Sequence, residues 1–527
     1  MDLLKHVQDA KVQNAKNGLA SEKVKTDDME NEKIMEKEYT GADQFKWKPL
    51  NGWHGVKNPF LKEYSGPTAA FTNSYDTFRA YWDDNALSHI AAQTNAYSSQ
   101  FRDKFYKDWI NTNADEIMIL FAFWIMLGIL KMPTIKACYS EVNVIRTDIF
   151  RRLMTENRYV NLNKFYYVNQ LNGKDSDSFL INFETLIDYL NLKFKELYNL
   201  EQEVSVDESS NLWKFENCDD KTLSSRIKIP LLCESSSTYI WSFLVDINRE
   251  QNARKPRPDE YVRKLMQPIL NCGHTLYTDS CYTCPMLARY FKQNKTNFVG
   301  KVISTKNVPL IIRNAVLNEG EFVARQSGDV MLVAFQGEKR EYYLSTCHGA
   351  VQIHDSGSGE SGQYKLLVIN EYNRGIKQIG QIDYCTEPYL QGKDVKWEIK
   401  LFKTLLNMSI HNSQILLEKS MNLKVSSLAF RLSLVQAIID KHLNKVPKQK
   451  STIEFPMERL TERHFIRRIS IARNDIGQNI INSQMCIRKT CVWCSRKGRD
   501  RKTAFECPNC NVALCIDCFE LFHTTFG

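Results

Sequence analysis

The chain has 527 residues, 43% of them hydrophobic and 11% aromatic, with a formal net charge of +9. Such length and apolar content support several domains with at least one large core and exclude a wholly disordered or fibrous chain. The charge is localised: sixteen Lys/Arg against five Asp/Glu between Lys441 and Thr503 give +11, leaving the remainder near −2, and a field concentrated at one end attracts a polyanion.

Residues 1–44 are rich in Lys, Glu, Asp and Asn and hold almost no aromatic residue, a composition that predicts a disordered charged arm. The Met1–Val24 start has no apolar core of the secretory kind. Over 45–200, apolar residues recur at helical spacing through Thr77–His89, Ala114–Met132, Ile149–Tyr159 and Leu180–Leu197, which predicts an α-helical domain. Its most apolar run, Ile117–Leu130, is fourteen residues long and bracketed by Asp115, Glu116 and Lys131. A membrane span needs roughly 20 residues, so this run reads as a buried core helix and no membrane association is expected. From residue 201 the period shortens: Val204–Val206, Ile227–Cys233, Tyr239–Val245, His274–Thr278 and Phe298–Val299 read as strands through residue 305. Val330–Phe335 and Glu341–Ser345 flank a turn carrying Gly337, a hairpin inside a β-rich insertion over 306–365. Helices at Asp394–Leu416 and Ser426–Leu443 complete the segment 366–440. A basic linker over 441–485, with Pro447 and Pro456, leads to a cysteine-rich segment, 486–527.

That last segment carries Cys491-x2-Cys494, Cys507-x2-Cys510, Cys515-x2-Cys518 and His523. Thiolate pairs two residues apart close on one tetrahedral ion, so these seven ligands imply about two structural zinc ions. The eighth ligand is left open among Cys486, His464 and a water. Seven of the fifteen cysteines lie from Cys486 onward, which fits metal binding in a reducing, intracellular compartment better than a secreted disulfide framework. Arg467, Arg468, Arg496, Lys497, Arg499 and Arg501 are the candidate DNA contacts in and beside this segment, the alternative for each being a solvated or nuclear-import role. Cys281 and Cys284 form a further C-x2-C that reads as structural thiols, and Trp397 reads as a helix anchor in the core.

Asp207 ends one expected strand and Asp279 another. Carboxylates held at strand tips bind Mg²⁺ in two-metal phosphoryl transfer, although aspartates also end strands simply as turn formers. The order of elements, together with specific stretches, resembles the piggyBac transposase family. The matching stretches are Asn95-Ala-Tyr, Phe121–Pro133, Val206-Asp-Glu, Ile227-Lys228, Thr278-Asp-Ser-Cys-Tyr-Thr-Cys-Pro-Met-Leu-Ala, Val299-Gly, Tyr343-Leu-Ser-Thr, Tyr372-Asn, Trp397 and the tail from Cys507 to His523. The resemblance implies a multidomain α+β protein: an RNase H-like (DDE transposase) core with an inserted β-rich domain, an N-terminal helical domain for dimerisation and DNA binding, and a C-terminal cross-brace zinc domain. It implies double-stranded DNA, notably terminal inverted repeats, as the partner, a homodimer and a nuclear location. Active relatives cut at TTAA sites with three aspartates and Mg²⁺.

By this resemblance Asp207 and Asp279 match the first two catalytic aspartates, and Gly380 stands in the slot of the third. Asp383 lies one helical turn on, about 5 Å along the axis, a displacement that Mg²⁺, with its bonds of about 2.0–2.1 Å and near-octahedral geometry, does not absorb. The family's Phe-Arg-Gly-Arg reads Trp213-Lys214-Phe215-Glu216 here, its Lys-Pro-x-Lys-x-Gly-Ile-Lys reads Lys221 to Lys228 with Ser224 and Arg226, and its Asn after the second aspartate is Ser280. These replacements favour a DNA-binding, domesticated or degenerate protein whose strand cleavage and transfer are lost. Two alternatives stay open: an active transposase in which Asp383 or Glu371 supplies the missing ligand and Mg²⁺ is a cofactor, and a chromatin or protein partner that uses the zinc domain.

Overall fold

The computed structural model describes residues 45–53, 55–99, 109–166, 177–208, 227–247, 257–303, 307–350, 352–354, 364–376, 389, 397–446, 463–469, 488–497 and 499–524. The chain divides into two units between Val446 and Pro447, inside the stretch expected to be a linker. The charged arm, Gly380, Asp383, Cys486 and the departures at 213–216 and 221–226 lie outside the described residues.

In the first unit, helices α1 (Ser74–Tyr81), α2 (Asp84–Ser99) and α3 (Ala114–Leu130) begin the helical layer. The single helix expected over Thr77–His89 is two. Trp82 closes α1, and the Asp83 side chain accepts from the Ala86 N–H at 2.9 Å, so a new N-cap interrupts an apolar pattern that carries on through it. The same happens after α4 (Asp148–Leu153), where Thr155 caps α5 (Glu156–Phe165). Helix α6 (Asp177–Glu196) then leads to the sheet.

The apolar run is the core helix anticipated: every residue from Ile117 to Gly128 in α3 is buried. Among the described residues no helix is long and apolar enough to cross a membrane. Asn113 caps α3 by accepting from Glu116 N–H at 2.8 Å, and buried Glu116 takes a bidentate pair from Arg158 at 2.7 and 2.6 Å. A buried carboxylate is tolerable only when paired in this way.

The sheet has nine strands: β1 (Lys48–Pro49), β2 (Glu203–Glu208), β3 (Pro230–Glu234), β4 (Ile240–Phe243), β5 (Thr275–Thr278), β6 (Asn297–Val302), β7 (Phe322–Ser327), β8 (Val330–Gln336) and β9 (Arg340–Ser345). Their order is β1-β7-β8-β9-β6-β5-β2-β3-β4. Strands β2, β3 and β4 form an antiparallel meander, and β5 and β6 add to β2 in parallel. This is the RNase H arrangement, a three-strand meander extended by two parallel strands. The stretch expected as a β-rich insertion extends the same sheet, because β9 pairs antiparallel with β6. Helix α7 (Pro258–Met266) precedes β5, α8 (Pro285–Gln293) links β5 to β6, and α9 (Leu367–Ile376) crosses β2, β5 and β6.

Helices α10 (Trp397–Met421) and α11 (Ser427–His442) pack against α1 and α3, so the helical layer is built from both ends of this unit. Phe402 of α10 sits among Trp82, Phe121, Trp124 and Tyr166 with ring centroids 5.0 to 5.8 Å away. Sequence periodicity assigns α10 and α11 to the sheet core; long-range aromatic packing binds them equally to the N-terminal helices.

The second unit is small. It holds β10 (Arg467–Arg468), β11 (Lys489–Thr490), α12 (Val492–Arg496), β12 (Lys502–Thr503), β13 (Phe505–Cys507), β14 (Val512–Ala513) and α13 (Ile516–Thr524). Strands β10, β13 and β14 form one sheet with β10 at its edge. Residues 463–469, read from sequence as linker, are therefore part of the folded unit.

Candidate functional site

Strand β2 lies parallel to β5 with Val206 opposite Thr278, so Asp207 and Asp279, one residue further along each, stand side by side at the C-terminal ends of the two strands. Neighbouring strands are about 4.8 Å apart. Both aspartates are half-buried. They share the sheet face of Ser205 and Tyr277, and α9 covers that face because Gly375 lets its backbone approach the Tyr277 ring: a Cβ there would stand 2.4 Å from the ring. Tyr372 of α9 is buried, and burial, followed by the negative charges of Asp279 and Asp207, pushes its phenol well above the ordinary range. Its hydroxyl thus stays protonated within the field of the two carboxylates.

Glu371, the alternative third ligand, is engaged elsewhere. Arg374 holds it at 2.7 Å and also binds Glu203, at the start of β2 and four residues from Asp207. Four residues of strand span about 13 Å. The described residues therefore bring two acids together at the strand tips, with Glu371 tied to an arginine.

In the second unit, the cysteines sort into two groups of four ligands. Cys491, Cys494, Cys515 and Cys518 form one; His464, Cys507, Cys510 and His523 form the other, and in each the ligand atoms all lie within 4.8 Å of one another. The groups alternate along the chain, which is the cross-brace pattern. A tetrahedral zinc ion with bonds of about 2.3 Å to sulfur and about 2.0 Å to nitrogen sets S···S edges near 3.8 Å and S···N edges near 3.5 Å. Cys494 Sγ is 3.8 Å from Cys515 Sγ and 3.5 Å from Cys518 Sγ. His464 Nδ1 is 3.4 Å from the sulfurs of both Cys507 and Cys510, and His523 Nε2 is 3.5 Å from Cys510. Both donor sets fit such an ion.

The surroundings orient these ligands. His523 Nδ1–H donates to the Phe519 carbonyl at 2.7 Å, which leaves the Nε2 lone pair facing the sulfurs. Backbone N–H groups of Cys494 and Cys515 donate to Cys491 Sγ at 3.5 and 3.3 Å. Burial pushes the Cys491 thiol up, but those two amides, together with the Cys515 and Cys494 thiols, hold the group below its ordinary value. His464 completes the second group from forty-three residues before Cys507, so spacing gave it no advantage over Cys486.

The candidate DNA contacts cluster on this unit. Arg467 and Arg468 are exposed on the edge strand, and Arg499 is exposed as well. Arg496 and Lys497 flank the Trp493 ring at 5.5 and 5.6 Å, while Arg501 pairs with exposed Asp517 at 2.7 Å. The described residues of the unit carry ten Lys/Arg against four Asp/Glu, so folding keeps the positive excess.

A model of the Transposase IS4 family matches residues 73–414, about two thirds of the chain, including both aspartates. The chain belongs to this family, in its piggyBac type. Among solved structures, a cryo-EM structure of the piggyBac transposase synaptic complex with hairpin DNA resembles this chain with a TM-score of 0.62 at 19% identity. The match covers 86% of this chain and 98% of that one. At that identity the likeness concerns the fold. The family match ends before the metal-binding unit, whose assignment as a cross-brace therefore rests on the ligand geometry.

Proposed function

We propose that this transposase-like protein is a nuclear, DNA-binding member of the piggyBac type that has lost strand cleavage and holds about two structural zinc ions. What supports the loss of cleavage is the acid count: Asp207 and Asp279 stand together, Glu371 is bound by Arg374, and by the family resemblance Gly380 stands in the slot of the third aspartate. With two carboxylates, a pair of divalent ions lacks an anionic ligand, and both the attacking and leaving oxygens of phosphoryl transfer lose stabilisation.

The DNA-binding half of the proposal is supported by the fold shared with a transposase solved with hairpin DNA and by the exposed basic residues of the zinc unit. The protein acts as a homodimer on double-stranded DNA, with terminal inverted repeats as the first candidates. Duplex affinity measured against salt tests this half. Replacing Arg496, Lys497, Arg499 and Arg501 with Ala should weaken binding and lower the log–log salt slope by about 0.9 for each phosphate that the variant no longer neutralises. An unchanged slope would refute the placement of the interface and favour a protein partner for the zinc unit.

A further inference from the structure

We infer that Phe465 is a base-stacking wedge within the DNA interface, flanked by Arg463 and Arg467. The inference deepens the DNA-binding reading and rests on it. Phe465 is 73% exposed and its neighbour Ile466 40%. Leaving a phenylalanine in water forgoes roughly 1.5–3 kcal/mol of burial, part of which stacking on a base would recover.

The backbone that carries the ring is anchored on either side of it. On one side, His464 Nδ1 lies 3.4 Å from the Cys507 and Cys510 sulfurs. On the other, Arg467 and Arg468 pair with Glu506 and Phe505, and Ile469 N–H donates to the Ala504 carbonyl at 2.8 Å. Residues 463–466 form neither helix nor turn and run directly into β10. Alternate residues of an extended chain share a face. His464 turns to the metal group, whereas Arg463, Phe465 and Arg467, at alternate positions from it, are all exposed.

An apolar ring between two guanidinium groups suits a nucleic acid. The arginines meet phosphates, while the ring stacks on a base or enters a base step as apolar wedges do. The other exposed apolar residues of this unit, Ile516 and Leu521 on α13, stand beside Asp517 and Glu520, whose charge opposes a phosphate backbone. Among the described residues of the unit, only the segment from Arg463 to Arg468 joins an exposed aromatic ring to positive charge.

The test uses the full-length, zinc-loaded protein and mixed-sequence duplexes with 2-aminopurine at successive positions. Binding should raise 2-aminopurine fluorescence at the stacked step. Phe465→Ala should weaken binding about tenfold, leave the salt slope unchanged and abolish the fluorescence rise, while Phe465→Trp should keep both. Arg463→Ala with Arg467→Ala should lower the slope by about two. If Phe465→Ala binds and fluoresces like the unaltered protein while the arginine variant weakens, the wedge is refuted and the DNA reading stands. If the unaltered protein binds no duplex at low salt, both fail. Equal zinc content across the variants excludes loss of the fold as the cause.

Discussion

His464 offers the sharpest perturbation of the metal-binding unit, because it lies far in sequence from every other ligand and serves a single group. His464→Ala leaves Cys507, Cys510 and His523 to hold the second ion, with water in place of a ligand whose nitrogen sits at the right tetrahedral separation, 3.4 Å, from two sulfurs. Removing an outer-shell partner of a zinc ligand already costs roughly 10–100-fold in affinity, so losing the ligand itself should cost at least a hundredfold. By linkage a hundredfold rise in Kd removes about 2.7 kcal/mol of folding stability at saturating zinc. The four-cysteine group shares no ligand with this one and should keep its ion. Competition with a chromophoric chelator should therefore release one zinc per chain early and one late from His464→Ala, against two late from the unaltered protein. Equal release from both, or loss of both ions together, would refute the two-group assignment.

Three further outcomes follow from the first unit. Arg158→Met strands buried Glu116 without its bidentate partner and should cost about 3–5 kcal/mol by denaturant titration, with part recovered on adding Glu116→Gln; a change under about 1 kcal/mol would contradict the pairing. Burial holds the imidazoles of His274 and His411 down at about 4, below the ordinary 6.5. Each therefore contributes stability that is full above pH 6.5 and lost as pH falls toward 4, about 2 kcal/mol per residue by pH 5. Thermal melts at about pH 7.5 and 5 should show the drop, and His411→Gln should shrink it. Gly375→Ala would press a Cβ into the Tyr277 ring, 2.4 Å away, and should destabilise the first unit while leaving zinc content unchanged; a neutral effect would refute the close seating of α9.

Much of the fold was legible because period and burial agreed. The alternating strands through Val204–Val206 and Phe298–Val299 sit in the central sheet, and Ile117–Leu130 is a core helix. Helix breaks at Asp83 and Thr155 were missed because a single capping side chain interrupts the backbone without interrupting the apolar pattern. Strand β7 was missed since Phe322–Ser327 carries Arg325 and Gln326 and gains its pairing from β8. At the site, Asp207 and Asp279 stood out as strand ends, but their side-by-side placement is set by strand order. The approach of Tyr372 and the diversion of Glu371 to Arg374 likewise depend on how α9 crosses the sheet, which no local spacing encodes. Metal pairs declare themselves at two-residue spacing, whereas His464 reaches its group from the segment that leads into β10, whose pairing with β13 no local spacing encodes.

Strand cleavage bears most directly on the proposed loss of activity. Zinc-loaded protein should be incubated with a TTAA-flanked terminal repeat in Mg²⁺ and in Mn²⁺, beside Asp207→Ala. The expected result is binding without nicking above background in either metal, and no difference between the two proteins. Metal-dependent cleavage by the unaltered protein that Asp207→Ala abolishes would contradict it and return Asp383 to the position of a working ligand.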